Sequence, residues 1–309
     1  VTVSDDVLAE GFTTHRAHLM GVAYRLTGTR SDAEDAVQEA WLRLSGLDDQ
    51  HRAAIRDLRA WLTTTVGRIC LDRLRSATAR RERYVGPWLP EPVVSPFGAP
   101  PSEDPLETVV RHEDVRMAAM VLLDKLTPEQ RVAVVLHDAF SVPFAEVAEI
   151  LGVTEATARQ HATRGRRAAA AADPPPRVPL SEQQALVERL LAALAAGDLA
   201  AVVELLHPDV VLIGDSDGKA RTARQVIVGA DKMARFLLGL LRMYGSHRLS
   251  RVQFVLVNGD LGIALPDLPA DGDYRELSRR VGAFAVRDGR IVAMYDIVNP
   301  DKLTRMRLS

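Results

Sequence analysis

The sequence predicts a multidomain protein in which two all-α modules, the second built on a helix-turn-helix, precede an α+β module shaped as a cone around a pocket. Three observations predict this. The chain has 309 residues, twice the ~150 of a typical domain. Two proline-rich breaks, YVGPWLPEPVVSPFGAPPSEDP at 84–105 and DPPPRVP at 173–179, interrupt the periodic segments. Apolar residues recur at helical spacing up to the second break, and β-rich runs follow only after His207-Pro208. The expected organisation is a helical module over 1–84, a linker over 85–105, a second helical module over 106–172, a stiff linker over 173–179 and the α+β module over 180–304.

In the first module Leu19, Val22, Ala23 and Leu26 form a helical stripe that stops at Gly28. Ser31-Asp32-Ala33-Glu34 reads as a capping box, and Ala33, Val37, Ala40, Trp41 and Leu44 follow at helical spacing. A last stripe, Leu58, Trp61, Leu62, Val66, Ile69 and Leu74, runs into arginines. The linker has no periodicity, and neither helix nor strand is expected in it. In the second module Thr127-Pro128-Glu129-Gln130 is a capping signal with proline in the first helical position. Pro143 opens a segment with Phe144, Val147, Ala148 and Leu151 on one face, Gly152-Val153 turns, and Thr154 caps a final helix. Helix, short glycine turn and helix is the signature of a motif whose second helix lies in a major groove. In the third module two helices break at Gly197-Asp198. Residues 210–213, 252–257, 281–286 and 291–297 read as strands of a curved antiparallel sheet, with a helix over 230–244 and a hairpin at Asp288-Gly289.

Charge is balanced overall, 39 Lys and Arg against 41 Asp and Glu, and 47% of residues are hydrophobic, an average composition that is globular and not disordered. The single cysteine, Cys70, excludes an intramolecular disulfide and a cysteine-based zinc site and fits a reducing interior. No apolar run approaches the ~18 residues of a membrane span, and VTVSDDVLAE at the start lacks the marks of a signal peptide, so a cytoplasmic protein is expected. Locally the balance fails. Asp32, Glu34, Asp35 and Glu39 stand together without a base, and Arg73, Arg75, Arg80, Arg81 and Arg83 stand against Glu82 alone. Residues 87–158 hold 12 acids and 4 bases, after which Arg159, Arg164, Arg166 and Arg167 arrive without an acid among them. Two basic clusters in neutral or acidic surroundings suggest two contacts with one polyanion, although basic helix ends complementing the helix dipole would look the same.

DAEDAVQEAWLRL at 32–44, RAWLTTTVGRICLDRLRS at 59–76 and LTPEQRVAVVLHDAFSVPFAEVAEILGVTEATARQHATRGRRAA at 126–169 resemble, in order, the two conserved domains of extracytoplasmic-function sigma factors of the sigma-70 family. WLPEP at 88–92, DSDGK at 215–219 and NPDKL at 299–303 resemble marks of the subgroup with a fused SnoaL-like, NTF2-like extension, where DGGGK is commoner in the second. The resemblance implies a sigma-2 domain, a helix-turn-helix sigma-4 domain and a cone-shaped regulatory domain. The acidic helix would then bind the polymerase β′ subunit through Asp32, Asp35, Gln38 and Glu39. The segment 46–57 and the helix after it would recognise the −10 element as extruded bases, with Arg59, Trp61, Arg68, Arg73, Arg75, Arg80 and Arg81 as DNA contacts. Thr157, Arg159, Gln160, His161, Arg164, Arg166 and Arg167 would face the −35 duplex. Trp88, Pro90, Asp215, Gly218, Lys219, Asn299, Asp301 and Lys302 would make regulatory, interdomain contacts.

The implied function is a promoter-specificity subunit of RNA polymerase that helps open the −10 region and is controlled in cis by its extension. Expected partners are core RNA polymerase, through its β′ and β subunits, and promoter DNA. Expected besides are no membrane, no cofactor, no metal and a monomeric free state, with an unidentified small-molecule ligand left open for the C-terminal pocket. The alternatives are a stand-alone, ligand-responsive helix-turn-helix regulator and an enzyme fused to DNA-binding modules. For an enzyme, His207, Asp215 and Asp296 are the candidate acid–base groups. Each has a plainer reading: His207 before Pro208 ends a helix, Asp215 sits in a turn-rich loop, and Asp296 pairs with Lys302 or an arginine.

Overall fold

The computed structural model describes residues 5–81, 83–100, 104–112 and 115–306, without the side chains of 5, 6, 78–81, 111 and 112. Two compact units result: residues 1–82, 101–115 and 119–174 form the first, and 83–100, 116–118 and 175–309 the second.

The first unit is all helix. Helices α1 (Asp5–Thr27), α2 (Arg30–Ser45), α3 (Asp49–Ala54) and α4 (Leu58–Arg81) make up its first half. Leu19, Val22, Ala23 and Leu26 on α1, Ala33, Val37, Ala40 and Leu44 on α2, and Leu62, Val66, Ile69 and Leu74 on α4 are buried. Each such leucine contributes roughly 2 kcal/mol of burial. The capping residue of α2 is Thr29, two residues before the expected one. Gly28 ends α1 at φ 78°, Thr29 takes an extended conformation, and its hydroxyl accepts from the Asp32 amide. Ser31 is therefore already helical. Trp41 is half-buried, its ring 5.0 Å from that of Phe12.

Helices α5 (Pro105–His112), α6 (Met117–Asp124), α7 (Pro128–Val134), α8 (Phe144–Leu151) and α9 (Glu155–Ala171) follow. The Thr127 capping box forms with Gln130 as expected. Helix α7 widens into a π-turn at Val135–Ala139, which places His137 flat on Phe144 at 3.8 Å. Gly152 ends α8 in the left-handed region at φ 69°, and Thr154 caps α9 through the Thr157 amide. Gly165 is required for packing: a Cβ there would lie 2.5 Å from Val134, where α9 crosses α7.

The second unit carries α10 (Leu180–Ala196), α11 (Leu199–Leu205) and α12 (Ala230–Tyr244) on a seven-stranded sheet. The strands are β1 (Val94–Pro96), β2 (Leu206–Asp215), β3 (Ile227–Val228), β4 (Gln253–Val257), β5 (Asp260–Leu265), β6 (Arg280–Arg287) and β7 (Arg290–Ile297), in the order β1-β4-β5-β6-β7-β2-β3. The sheet is mixed and not wholly antiparallel, because β2 runs parallel to β7. Its core joins Leu186, Leu190 and Val202 of the helices to Leu212, Phe284 and Ile291 of the strands.

Three expectations are corrected here. The proline-rich linker does contain a strand: β1 pairs with β4, Val94 opposite Val257, and Pro96 is tolerated because β1 is an edge. His207 lies in β2 and does not end a helix; the register slips between Leu206 and Val211, where Pro208 interrupts the ladder. Asp215 closes β2 and is fully buried, not part of a loose turn.

Candidate functional site: nucleic-acid interface and linker clasp

Four groups of side chains carry the chemistry expected of this chain. The first is the acidic face of α2. Asp35 and Gln38 are exposed, and Asp32 and Glu39 are half-buried. All three carboxylates converge on Arg73 of α4, whose guanidinium lies 3.3 Å from Asp32, 3.5 Å from Asp35 and 3.8 Å from Glu39. Arg73 is thus already engaged by carboxylates.

The second group is the polar side of α4. Arg59 is exposed and donates to Nδ1 of His18 at 3.2 Å, and the other ring nitrogen meets Thr63 Oγ1 at 2.9 Å. That pattern puts the proton on Nε2 of a neutral imidazole. Burial, aided by the Arg59 charge, lowers its pKa to about 4. Trp61 is half-buried, and the side chains of Arg80 and Arg81 lie outside the described residues. Arg68 and Arg75 face carboxylates of the second helical half: Arg68 lies 3.7 Å from Glu149 and Arg75 3.1 Å from Glu129.

These pairs rim an apolar contact. At Gly67 a Cβ would stand 3.2 Å from Leu136 and 3.3 Å from Ile150, so the missing side chain lets α4 approach α8 and the π-turn. Arg131, 1% exposed, crosses the same junction, donating through Nε to the Arg25 carbonyl at 3.0 Å and pairing with Asp124 at 3.1 Å. Phe140 sits edge-on to His18 and beneath the Arg25 guanidinium.

The third group is α9. Arg159, Gln160, Arg164, Arg166 and Arg167 are exposed; Thr157 and His161 are half-buried. Arg159 lies 4.6 Å above the Phe144 ring and pairs with Glu155, and Arg166 pairs with Asp138 at 2.5 Å. Ala158, Ala162 and Gly165 form the buried side, so the cationic side faces outward.

The fourth group clasps the linker inside the second unit. Both oxygens of the buried Asp215 are taken: Tyr84 donates its hydroxyl to Oδ1, and the Leu89 amide (2.6 Å) and Lys302 (2.6 Å) reach Oδ2. Lys302 also donates to the Leu89 carbonyl and lies 4.3 Å from the centre of the Trp88 ring. Asn299 donates to the Tyr84 oxygen at 2.8 Å. Burial and the neighbouring Asp215 carboxylate push the Tyr84 phenol well above its ordinary range. Pro90 is buried, and Lys219 bridges Asp217 and Asp301. Gly218, at φ 69°, lets the loop press on Val85, which a Cβ would meet at 3.2 Å. The neighbouring Asp217, at φ 49°, adopts the left-handed conformation glycine would take, which aspartate tolerates, and accepts from the Val85 amide at 3.2 Å. Leu89, within WLPEP, and Tyr84 and Asn258, outside the marked sequences, complete the clasp. Asn258, fully buried, holds Val93 through both its amide (2.9 Å) and its side-chain carbonyl (3.0 Å).

Asp296 takes Thr222 at 2.6 Å and Arg280 at 3.4 Å, not Lys302. Among the described residues no cluster of His, Cys, Asp and Glu would hold a metal, and no helix is long and apolar enough to cross a membrane.

Comparison with known proteins fits this division. Residues 12–80 match the family Sigma-70 region 2, 116–168 match Sigma-70, region 4, and 187–294 match the SnoaL-like domain. The chain is 54% identical over 299 residues to the ECF RNA polymerase sigma factor SigJ of Mycobacterium tuberculosis, covering 95% of this chain and 92% of that protein. The chain belongs to the extracytoplasmic-function RNA polymerase sigma factors. A probable ECF sigma factor of the same organism, SigI, is 33% identical over 239 residues, 75% of this chain and 77% of its own. The crystal structure of the M. tuberculosis sigma factor SigJ superposes with a TM-score of 0.82 at 51% identity, covering 97% of this chain and 100% of that one. As sigma factors do, this one binds core RNA polymerase and promoter DNA, and its family is not catalytic.

Proposed function

We propose that this sigma factor docks on core polymerase through Asp32, Asp35, Gln38 and Glu39, engages the −10 element with α4 and the preceding segment 46–57, and reads the −35 duplex with α9. Its C-terminal module controls it in cis through the linker. The observation that carries the reading is the pairing of Arg68 and Arg75 with Glu149 and Glu129 around the Gly67 contact. Elements centred near −10 and −35 lie about 25 base pairs, roughly 85 Å, apart along B-DNA. Helices α4 and α8 in contact do not span that distance. The packed state is therefore an off state, and phosphate-seeking arginines spend it against carboxylates.

The linker completes the argument. Residues 83–100 would reach roughly 60 Å when extended, but β1 pairing and the Asp215–Lys302 clasp hold them to the C-terminal module. A tether so held does not extend, which is how the module governs the separation of the two DNA-reading parts. His207, Asp215 and Asp296 serve here as structural groups and not as a catalytic set.

The test uses the full chain carrying Glu129→Lys and Glu149→Lys, which turn both attractions into repulsions and leave the DNA-facing arginines in place. Exposed pairs contribute about 0–1 kcal/mol each, so run-off transcription with purified core polymerase should rise about threefold to tenfold. Unchanged or reduced output at equal core affinity would overturn the off-state reading.

A further inference from the structure

Between α10, α12 and the inner face of the sheet the C-terminal module forms a chamber of about 140 Å³. Its wall is almost wholly hydrocarbon: Leu190, Leu194, Leu212, Phe236, Phe284 and Met294 are among the residues that line it. A dry apolar cavity of ~150 Å³ takes a benzene-sized molecule. One end of the chamber is polar. There Arg280, its side chain 12% exposed, makes only long contacts, 3.4 Å to Asp296, 3.3 Å to the Arg221 carbonyl and 3.4 Å to the Ser278 carbonyl. Five N–H donors share three weak acceptors, so the guanidinium retains donor capacity toward the cavity. Asp296, in contrast, is held firmly by Thr222 at 2.6 Å. That bond exists because Gly214 has no side chain: a Cβ there would stand 2.3 Å from the Thr222 hydroxyl.

The chamber has one more property. Phe236, Leu240, Tyr244, Arg280 and Asp296 also line an outer cavity of about 940 Å³ whose rim includes Val85, Gly86 and Pro87 of the linker. A molecule in the inner chamber thus sits behind the segment that Asp215 and Lys302 clasp.

We propose that the inner chamber is a binding site for a small, neutral molecule of single-ring size with one hydrogen-bond acceptor, its ring among the leucines and its acceptor on Arg280. Neutrality follows from Asp296, whose carboxylate beside Arg280 repels an anionic head group. The ring size follows from the volume, and the acceptor from the under-used Arg280 donors at a wall that is otherwise mostly apolar. Binding stands on the chamber alone; its regulatory meaning rests on the linker reading proposed above.

The experiment titrates the full-length protein with acetophenone, a ring bearing one carbonyl, and in parallel with ethylbenzene and benzoate, followed by ligand-observed NMR. Acetophenone should saturate one site with a dissociation constant of about 0.1–1 mM. Ethylbenzene, lacking the acceptor, should bind three- to tenfold more weakly, and benzoate more weakly still. Leu194→Phe and Met294→Phe, two independent ways of filling the chamber, should each abolish saturation, with thermal unfolding and sheet hydrogen exchange confirming the fold. Absence of saturable binding, equal affinity for acetophenone and ethylbenzene, preference for benzoate, or binding that survives in a folded filled variant would each overturn the proposal. None of these results depends on polymerase, so failure here leaves the transcription test to be judged by itself.

Discussion

Replacing Lys302 with methionine isolates the charge in the linker clasp. Methionine keeps the length and the apolar contact with Trp88 and removes the ammonium group that lies 2.6 Å from Asp215. Asp215 is fully buried and the Lys302 side chain 8% exposed, so the pair is shielded from solvent and its loss leaves a buried carboxylate uncompensated. Breaking such a pair costs about 3–5 kcal/mol. The hydrogen bonds from Tyr84 and the Leu89 amide persist and favour the low end. The expected cost is therefore about 3–4 kcal/mol. At 1.4 kcal/mol per factor of ten, amide exchange across residues 84–94 should accelerate at least about 100-fold. Hydrogen exchange read by mass spectrometry on the full chain measures this, with peptides from β6 and β7 as the internal control. Acceleration confined to 84–94 is the expected outcome. Exchange there within about threefold of the parent, the control unchanged, would refute the claim that this ion pair holds the linker.

Asp35→Ala with Glu39→Ala should weaken binding to core polymerase about tenfold or more by removing two of the carboxylates gathered on α2, measured by competition for core enzyme; unchanged affinity would remove the docking assignment. Arg159→Ala should reduce transcription more on promoters with an intact −35 element than on scrambled ones, a difference of about 1–3 kcal/mol if the side chain reads a base, whereas equal loss on both would make it a phosphate contact. His18 sets a pH dependence whose sign follows from its lowered pKa of about 4 against an ordinary 6.5. The unfolded chain takes up the proton first, so this contribution is intact above pH 6.5 and is lost as pH falls toward 4, by less than about 1.4 kcal/mol per unit because the ring is half-buried. Urea unfolding of the parent and His18→Phe between pH 7 and 5 measures it, and parallel stability profiles would contradict it.

What could be read from the sequence was chemistry acting over a few residues. The Thr127 box, Pro143, the left-handed Gly152 and the Thr154 cap bound the helix-turn-helix because caps and turns are decided by adjacent backbone groups. What escaped was pairing over distance. Strand β1 forms only because β4, more than 150 residues later, offers an edge, and nothing in a proline-rich stretch announces that. The burial of Asp215 likewise depends on Tyr84 and Lys302 arriving from opposite directions along the chain. Two misses had a local signal. Asn258-Gly259, with φ 53° and 81°, is the turn of the β4–β5 hairpin, and Asn-Gly between apolar runs announces such a turn. Gly28 just before Thr29 marked the true cap of α2, since a left-handed helix end leaves the next residue extended and free to cap.

On the proposed function, Arg73 couples the two binding events. While the chain is free, Asp32, Asp35 and Glu39 neutralise it at 3.3–3.8 Å, so the carboxylates and the arginine suppress one another. A basic surface on polymerase that takes the carboxylates releases the guanidinium on the α2-facing side of α4, away from the side that carries Arg68 and Arg75. Docking then raises the cationic charge on that side of α4 without any movement of backbone. The remaining contacts of the packed state are of unequal weight: exposed pairs contribute about 0–1 kcal/mol each, while removing the buried Arg131 costs several times that. A switch from 1:99 to 99:1 needs about 5.5 kcal/mol of differential binding, more than the exposed pairs together supply. Opening is therefore decided where Arg131 meets the Arg25 carbonyl and where the linker is clasped, and the arginine–carboxylate rim sets how readily DNA and polymerase tip the balance.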